Sequence, residues 1–387
     1  MSLSEIDIGF VPLTDAATLI VAKEMGFAAE EGLELNLHKE VSWSNIRDKV
    51  SMGIYPIAHM LSPLALAMSL GLGPMPVRIT VPFVLSQNGN TLVAGPELVQ
   101  KLGDVARDAA SLGRHLALEI ARGFSLNIGV PFPQSMHREL VRYWLEACGV
   151  EEPGSVSFSV ASPSMLGKVL AANEIDAFMV GEPWGSLAVE QGNTEILLCG
   201  SAIWSAAPEK VLAVRDDWAT DNSEALQRLI RALYRASLWV GDQKNAMSTA
   251  EILSLPQYVD VGSEIIEHAL TGELVIDGKG RVGKREGILR LSGPTVTFPW
   301  ISGATWIADR VAQHWGLSRT AVRIEAESMF RPDLYRQALD VLGVNTPASD
   351  SRIEGGLVDT KTIDGTHGPL FADADSFFDG RKFDFSA

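Results

Sequence analysis

Thr14, Ser42, Trp43, Ser62, Ser135 and His137 share one placement: each stands between a strand-like run and a helix-like one. Their side chains are hydroxyls, an indole and an imidazole, all able to donate a hydrogen bond. In parallel α/β sheets, ligands bind outside the carboxyl ends of the strands, where the following helices begin. Those helix starts carry unpaired N–H groups and about half a positive charge. The chemistry such a set can do is capture of a small anion. Capping alone accounts for the hydroxyl residues, since Ser and Thr are preferred N-caps. It does not account for His137, which stands in the first turn of the amphipathic "MHRELVRYWLEACGV" and is expected to face the cleft. Lys210, in "APEKVLAVRDDW", is by default a solvated lysine ahead of a strand.

The elements that must position these residues alternate regularly. "IDIGFVPL", "LELNLHKEV" and "YPIAHML" each lead through Thr14-Asp15, Ser42 or Ser62-Pro63 into a helical pattern. A second series follows: "SLNIGVPF" before Ser135, "VSFSVAS" before Pro163, "IDAFMVGEP" before Trp184, and "TEILLCG". Ser or Thr at a cap and Pro at the first helical position are start signals. Strands alternating with helices of this length predict α/β units on parallel sheets. Two series predict two such lobes, with segments near 80–95 and 200–215 crossing between them. The expected division is 1–90 plus 210–345 for the first lobe, 91–209 for the second, and an extended C-terminal tail over 346–387. The run 222–241 is an amphipathic helix, with Leu226, Leu229, Ile230, Leu233 and Val240 at helical spacing.

Bulk composition excludes several classes. The chain has 387 residues, 46% hydrophobic and 21% charged, which suits a globular protein with a large core. Its formal net charge of −16 repels nucleic acid and anionic lipid, so direct nucleic-acid binding and membrane insertion are not expected. An anion site must then be built locally. No window approaches the ~18 uninterrupted apolar residues of a membrane span. Cys148 and Cys199 read as buried thiols, and no Cys/His spacing predicts a metal site. The patterns GxSxG, GxxxxGK[ST], HExxH and GxGxxG after a strand are all absent, so neither an enzyme nor a cofactor is expected. The start "MSLSEIDIGFVPL" lacks the basic and apolar regions of a secretory leader. It predicts a cytoplasmic protein or, alternatively, a periplasmic one whose leader has been removed.

Read together, "GFVPLTDAATLIVAKEMGF", "VSWSNIRDKV", "IAHMLSPLALAMSLGLG", "QNGN", "MHRELVRYWLEACGV", "MVGEPWG", "APEKVLAVRDDW" and "TFPWISGATWIADR" resemble the nitrate-binding, and related bicarbonate-binding, solute receptors of ATP-binding-cassette transporters. The resemblance runs from about residue 6 to 345. It implies a periplasmic-binding-protein-like (type II) fold, two α/β lobes joined by two crossings with a cleft between. It implies an anion held by a tryptophan, an amide, a histidine, a glycine backbone and a lysine. On this sequence those fall on Trp43, Asn90, His137, Gly181 and Lys210. Trp43 and Asn90 are expected from the first lobe, His137 and Gly181 from the second. The family amide is a glutamine, one methylene longer than Asn90.

A fixed cation at Lys210 suits a monovalent anion with no companion metal, and the resemblance implies a different residue there in the bicarbonate receptors, which favours nitrate or nitrite. The resemblance extends to a cytoplasmic branch that senses nitrate and nitrite for assimilation operons and sequesters an RNA-binding antitermination regulator. That sensor role is the expected one. The alternatives are the periplasmic receptor of an ABC permease, a bicarbonate receptor, and a small-molecule enzyme on the same fold. Micromolar binding corresponds to about 8 kcal/mol. Four or five convergent donors supply that, at about 1 kcal/mol per neutral and 1.5–3 per charged hydrogen bond.

Overall fold

The computed structural model describes residues 3–150 and 154–386. In chain order the first strands are β1 (Ser4–Phe10), β2 (Leu33–Lys39), β3 (Ile57–Leu61), β4 (Ile79–Thr80) and β5 (Val84–Asn88). They are followed by β6 (Asn90–Ala94), β7 (Leu126–Val130), β8 (Val156–Val160), β9 (Ala177–Gly181) and β10 (Glu195–Cys199). The chain then enters β11 (Pro208–Arg215), β12 (Glu273–Val275), β13 (Val282–Lys284) and β14 (Leu289–Arg290). One sheet has the order β14-β5-β11-β3-β1-β2, with β4 also on β11; the other has the order β10-β6-β9-β7-β8. Each sheet anchors one lobe, the two-lobed arrangement that the resemblance implies.

The α/β units appear where the sequence places them, but the sheets are mixed rather than parallel. β1 pairs in parallel with β2 and β3, and β7 with β8 and β9. The strands next to the crossings pair antiparallel: β11 with β3 and β5, β6 with β9 and β10. The reason is directional. A chain that returns from the other lobe enters the sheet from the opposite end, without the helical crossover that parallel pairing requires.

The first crossing is a single residue. Asn88 (φ 58°) and Gly89 (φ 100°) both take positive φ, which Gly adopts without cost, and the chain passes from β5 straight into β6. The second crossing runs over 200–207. The two are laced together: Asn88 N–H donates to the Ala207 carbonyl (2.9 Å) and its Nδ2 to the Ser205 carbonyl (2.8 Å).

The caps are local and specific. Ser42 Oγ accepts from Asn45 N–H (3.2 Å) at the start of the helix Trp43–Ser51. Ser135 Oγ accepts from Arg138 N–H (3.3 Å) at the start of Met136–Ala147. Ser62 departs from expectation: its hydroxyl donates to the Pro208 carbonyl (2.9 Å) and so ties its helix to β11. The predicted amphipathic helix is Ser223–Gly241, and it buries Leu226, Leu229, Ile230, Leu233 and Val240 against the first sheet's outer face. Cys199 is buried, whereas Cys148 is only partly so. Among the described residues no helix is long and apolar enough to cross a membrane.

Three features bridge the lobes away from the cleft. The helix Ile301–Trp315 meets Met136–Ala147 through Arg310–Glu146 (2.8 Å), His314–Glu139 (2.8 Å) and His314–Glu146 (3.1 Å). The segment after 346 forms a hairpin, β15 (Lys361–Gly365) and β16 (Gly368–Ala372), and then reaches the second crossing. There Asp375 accepts from Trp204 Nε1 (2.7 Å), Phe377 stacks on Trp204 (4.8 Å between centroids), and Tyr143 donates to Asp379 (3.0 Å). The hairpin β12–β13 also lies against the second sheet, where Ile196 N–H donates to the Ile276 carbonyl (2.9 Å).

Candidate anion site

Between the lobes, the predicted residues converge on one buried cluster. Trp43 is the first residue of its helix, set by the Ser42 cap. His137 is the second residue of Met136–Ala147, set by the Ser135 cap. Lys210 lies in the middle of the seven-stranded sheet, on β11 between β3 and β5. Asn90 and Gly181 stand opposite each other across the antiparallel pair β6–β9. This corrects the lobe assigned to Asn90. It belongs to the second sheet, because the chain has already crossed at Gly89.

Charged partners tie the cluster together. Lys210 Nζ lies 2.8 Å from Asp15 Oδ2 and 2.9 Å from Glu209 Oε1. Asn90 Nδ2 donates to Glu209 Oε2 (2.6 Å), and His137 Nδ1 lies 3.4 Å from Glu209 Oε1. His59 Nε2 meets Asp15 Oδ1 at 2.8 Å. The Lys210 ammonium sits 5.6 Å from the Trp43 ring centroid, and the Trp43 and His59 rings are 5.6 Å apart. A Cβ on Gly181 would lie 3.7 Å from Asn90 Oδ1 and 3.1 Å from Leu13 Cδ2, so glycine keeps the backbone open beside the amide.

The lobes meet over this cluster. Thr14 N–H donates to the Glu182 carbonyl (2.8 Å), and Trp184 Nε1 to the Pro12 carbonyl (2.8 Å). Asn90 and Lys210 are 0% exposed, and Trp43 and His137 1%, so the cluster has no open face. Inside it, Trp43 Nε1 and both ring nitrogens of His137 have no hydrogen-bond partner among the described residues. Buried donors without partners are costly and rare in native proteins, so these orphans mark a place shaped for an acceptor.

Burial opposes every charge in the cluster, and the pairings decide the outcome. Burial raises Asp15, but Lys210 and His59 outweigh it and hold the carboxyl at about 2. Lys210 is pushed down by burial and then above the usual lysine value by Asp15 and Glu209. Burial, then Lys210, drives His137 well below the usual histidine value, so its imidazole is neutral and offers one N–H. Burial lowers His59 as well. Burial raises Glu209 above the usual carboxylate range despite Lys210 and Asn90.

Sequence reasoning missed Asp15, His59 and Glu209. Asp15 reads as a helix-start acid and His59 as an alternation fault in an apolar strand. Glu209 reads as half of a solvated Glu-Lys pair. What marks them is long-range: residues 44 and 195 positions from Asp15 supply its partners. An ionisable residue inside a run of apolar strand residues, as at His59 and at Glu209-Lys210, is the signal that was available. Among the described residues, no group of three or more His, Cys, Asp or Glu side chains is placed to hold a metal ion.

Several known proteins have similar sequences and folds. The chain is 32% identical to the nitrate import ATP-binding protein NrtC of Synechocystis sp. over 87% of its own length, and it spans only 50% of that protein. It is 29% identical to the nitrate/nitrite binding protein NrtA of Synechococcus elongatus, over 98% of this chain and 86% of that one. The crystal structure of the periplasmic nitrate-binding protein NrtA from Synechocystis PCC 6803 matches with a TM-score of 0.86 at 27% identity, covering 99% of this chain and 96% of that one. The NMT1-like family profile matches residues 2–254. The chain therefore belongs to the NMT1-like family, with the two-lobed fold of periplasmic binding proteins.

Proposed function

We propose that this protein is a non-catalytic receptor that holds nitrate or nitrite between its lobes and serves as the recognition component of an ABC import system. The carrying observation is the convergence of Trp43, Asn90, His137, Gly181 and Lys210 on one buried cluster, with Trp43 Nε1 and the His137 nitrogens unpartnered. In this reading Trp43, His137 and the Gly181 backbone each give an N–H. Asn90 gives its second amide N–H, and Lys210 its third N–H and its charge. Donors from both lobes favour the closed form, and only that difference in affinity shifts the lobes toward closure. Similarity to NrtA over nearly the whole chain supports nitrate or nitrite as the anion.

Transport is the role the relatives favour: an ABC permease with its ATP-binding subunit reads the closed form, on the periplasmic side of the membrane. The sensor role uses the same closure in the cytoplasm, read by an RNA-binding antitermination regulator. Titration calorimetry of the purified protein with nitrate, nitrite and bicarbonate tests the ligand; heat from bicarbonate alone overturns it. Nitrate-dependent loss of binding to such a regulator would decide for the sensor, and nitrate-dependent stimulation of a reconstituted transporter ATPase for the receptor.

A further inference from the structure

Glu209 holds donors that the proposed anion needs. Its carboxylate accepts from Asn90 Nδ2 at 2.6 Å and from Lys210 at 2.9 Å, and it faces His137 Nδ1 at 3.4 Å. The groups around it come from five elements: Asp15 from the turn Thr14–Ala16 and its partner His59 from β3, His137 from the helix Met136–Ala147, Asn90 from β6, and Lys210 from its own strand β11. With Asp15 and Glu209 ionised, Lys210 charged and both histidines neutral, these side chains sum to one negative charge. A monovalent anion added to that cluster meets a carboxylate a few ångströms away, in a site closed to water. Like charges in such a setting do not both stay ionised. Asp15 is the acid held ionised, doubly paired by Lys210 and His59, so Glu209 is the group free to take a proton. Burial has already moved Glu209 in that direction.

We propose that Glu209 is a specificity-determining residue of the site: its carboxyl takes up one proton from solvent when an oxyanion without a hydrogen binds, and stays ionised opposite an anion that carries its own. The inference rests on the receptor reading above. Nitrate and nitrite have no O–H, so Glu209 must be neutral beside them. Bicarbonate has one, which an ionised Glu209 accepts. Proton uptake therefore distinguishes the two classes of ligand at the same pocket. Above the pKa of Glu209, nitrate affinity falls about tenfold per pH unit, as linkage of one proton to one anion requires.

The test is calorimetry on the full chain across about pH 6–8, in two buffers that differ in heat of ionisation, which counts protons bound per anion. The expected result is about one proton per nitrate and none per bicarbonate for the native protein. E209Q, neutral and of the same shape, is expected to bind nitrate with no proton uptake and no pH slope, and to lose bicarbonate. Nitrate binding without proton uptake in the native protein overturns the role of Glu209 and leaves the receptor reading standing. If neither protein binds nitrate or nitrite at any pH, the receptor reading itself falls, and this inference with it. Should E209Q fail to fold, the native proton count alone decides.

Discussion

Lys210 Nζ and Asp15 Oδ2 form an ion pair 2.8 Å apart with essentially no solvent contact. Breaking a buried pair by removing one partner leaves an uncompensated charge and costs about 3–5 kcal/mol. Lys210→Ala is therefore expected to lower stability by that order as well as to weaken nitrate binding at least tenfold. The double variant D15N/K210M removes this pair and should recover part of the stability without the binding, the shortfall being the cost of leaving buried Glu209 without its cation. Urea melts and calorimetry on the three proteins check this; a fully stable K210A would contradict the pairing.

Asp15 sets an acid limit on the fold. Its carboxyl stands at about 2, below the ordinary 3.8, so the folded state binds the proton more weakly than the unfolded chain does. Stability from this group is complete above the unfolded value and is lost as pH falls through about 2. The depression corresponds to roughly 2 kcal/mol. Urea midpoints measured from about pH 5 down to 2 should fall with a slope that D15N lacks.

Trp43 brings an indole N–H with no partner among the described residues. Phe keeps a six-membered ring but loses the pyrrole ring and its N–H donor. Trp43→Phe is expected to lower stability by about 1–2 kcal/mol through the cavity it leaves in the core, and to weaken nitrate binding by about 1–1.5 kcal/mol, roughly five- to tenfold. Fluorescence quenching by nitrate should shrink in the same variant. A full quenching response would move the anion away from Trp43.

His314 clamps two helices from different lobes. Burial works against its charge, but its bonds to Glu139 and Glu146 prevail and raise it above the usual histidine value. A raised cation contributes fully below the unfolded pKa and is lost as pH rises through the folded value. His314→Gln should therefore cost more stability at about pH 5.5 than at pH 8.5. Equal cost at both would show that the imidazolium contributes nothing.

Much of this arrangement is written locally. Strand, cap and helix follow one another in sequence because Ser42, Ser135 and the Pro after Ser62 act within three residues of themselves. Periodicity likewise defines the helix Ser223–Gly241. Pairing between strands is less local. One positive-φ glycine, Gly89, decides that Asn90 joins the second sheet, and no pattern in "QNGN" shows which amide faces inward. In the structure Gln87 bonds the Val296 carbonyl, Asn88 laces the crossings, and Asn90 alone reaches the cluster. The acids were hidden for a related reason. Asp15 meets Lys210, and Glu209 meets Asn90 and His137, only after β11 has been laid between β3 and β5, a step that sequence spacing does not record.

The bonds from Asn88 to Ser205 and Ala207 have a mechanical consequence. Two strands that pass between bodies independently permit both bending and torsion, whereas two fastened at their midpoints permit little but bending. Between the crossings, the softest remaining coordinate is then a single angle. In the proposed receptor role, a protein docking across both lobes would read that angle without touching the anion that sets it.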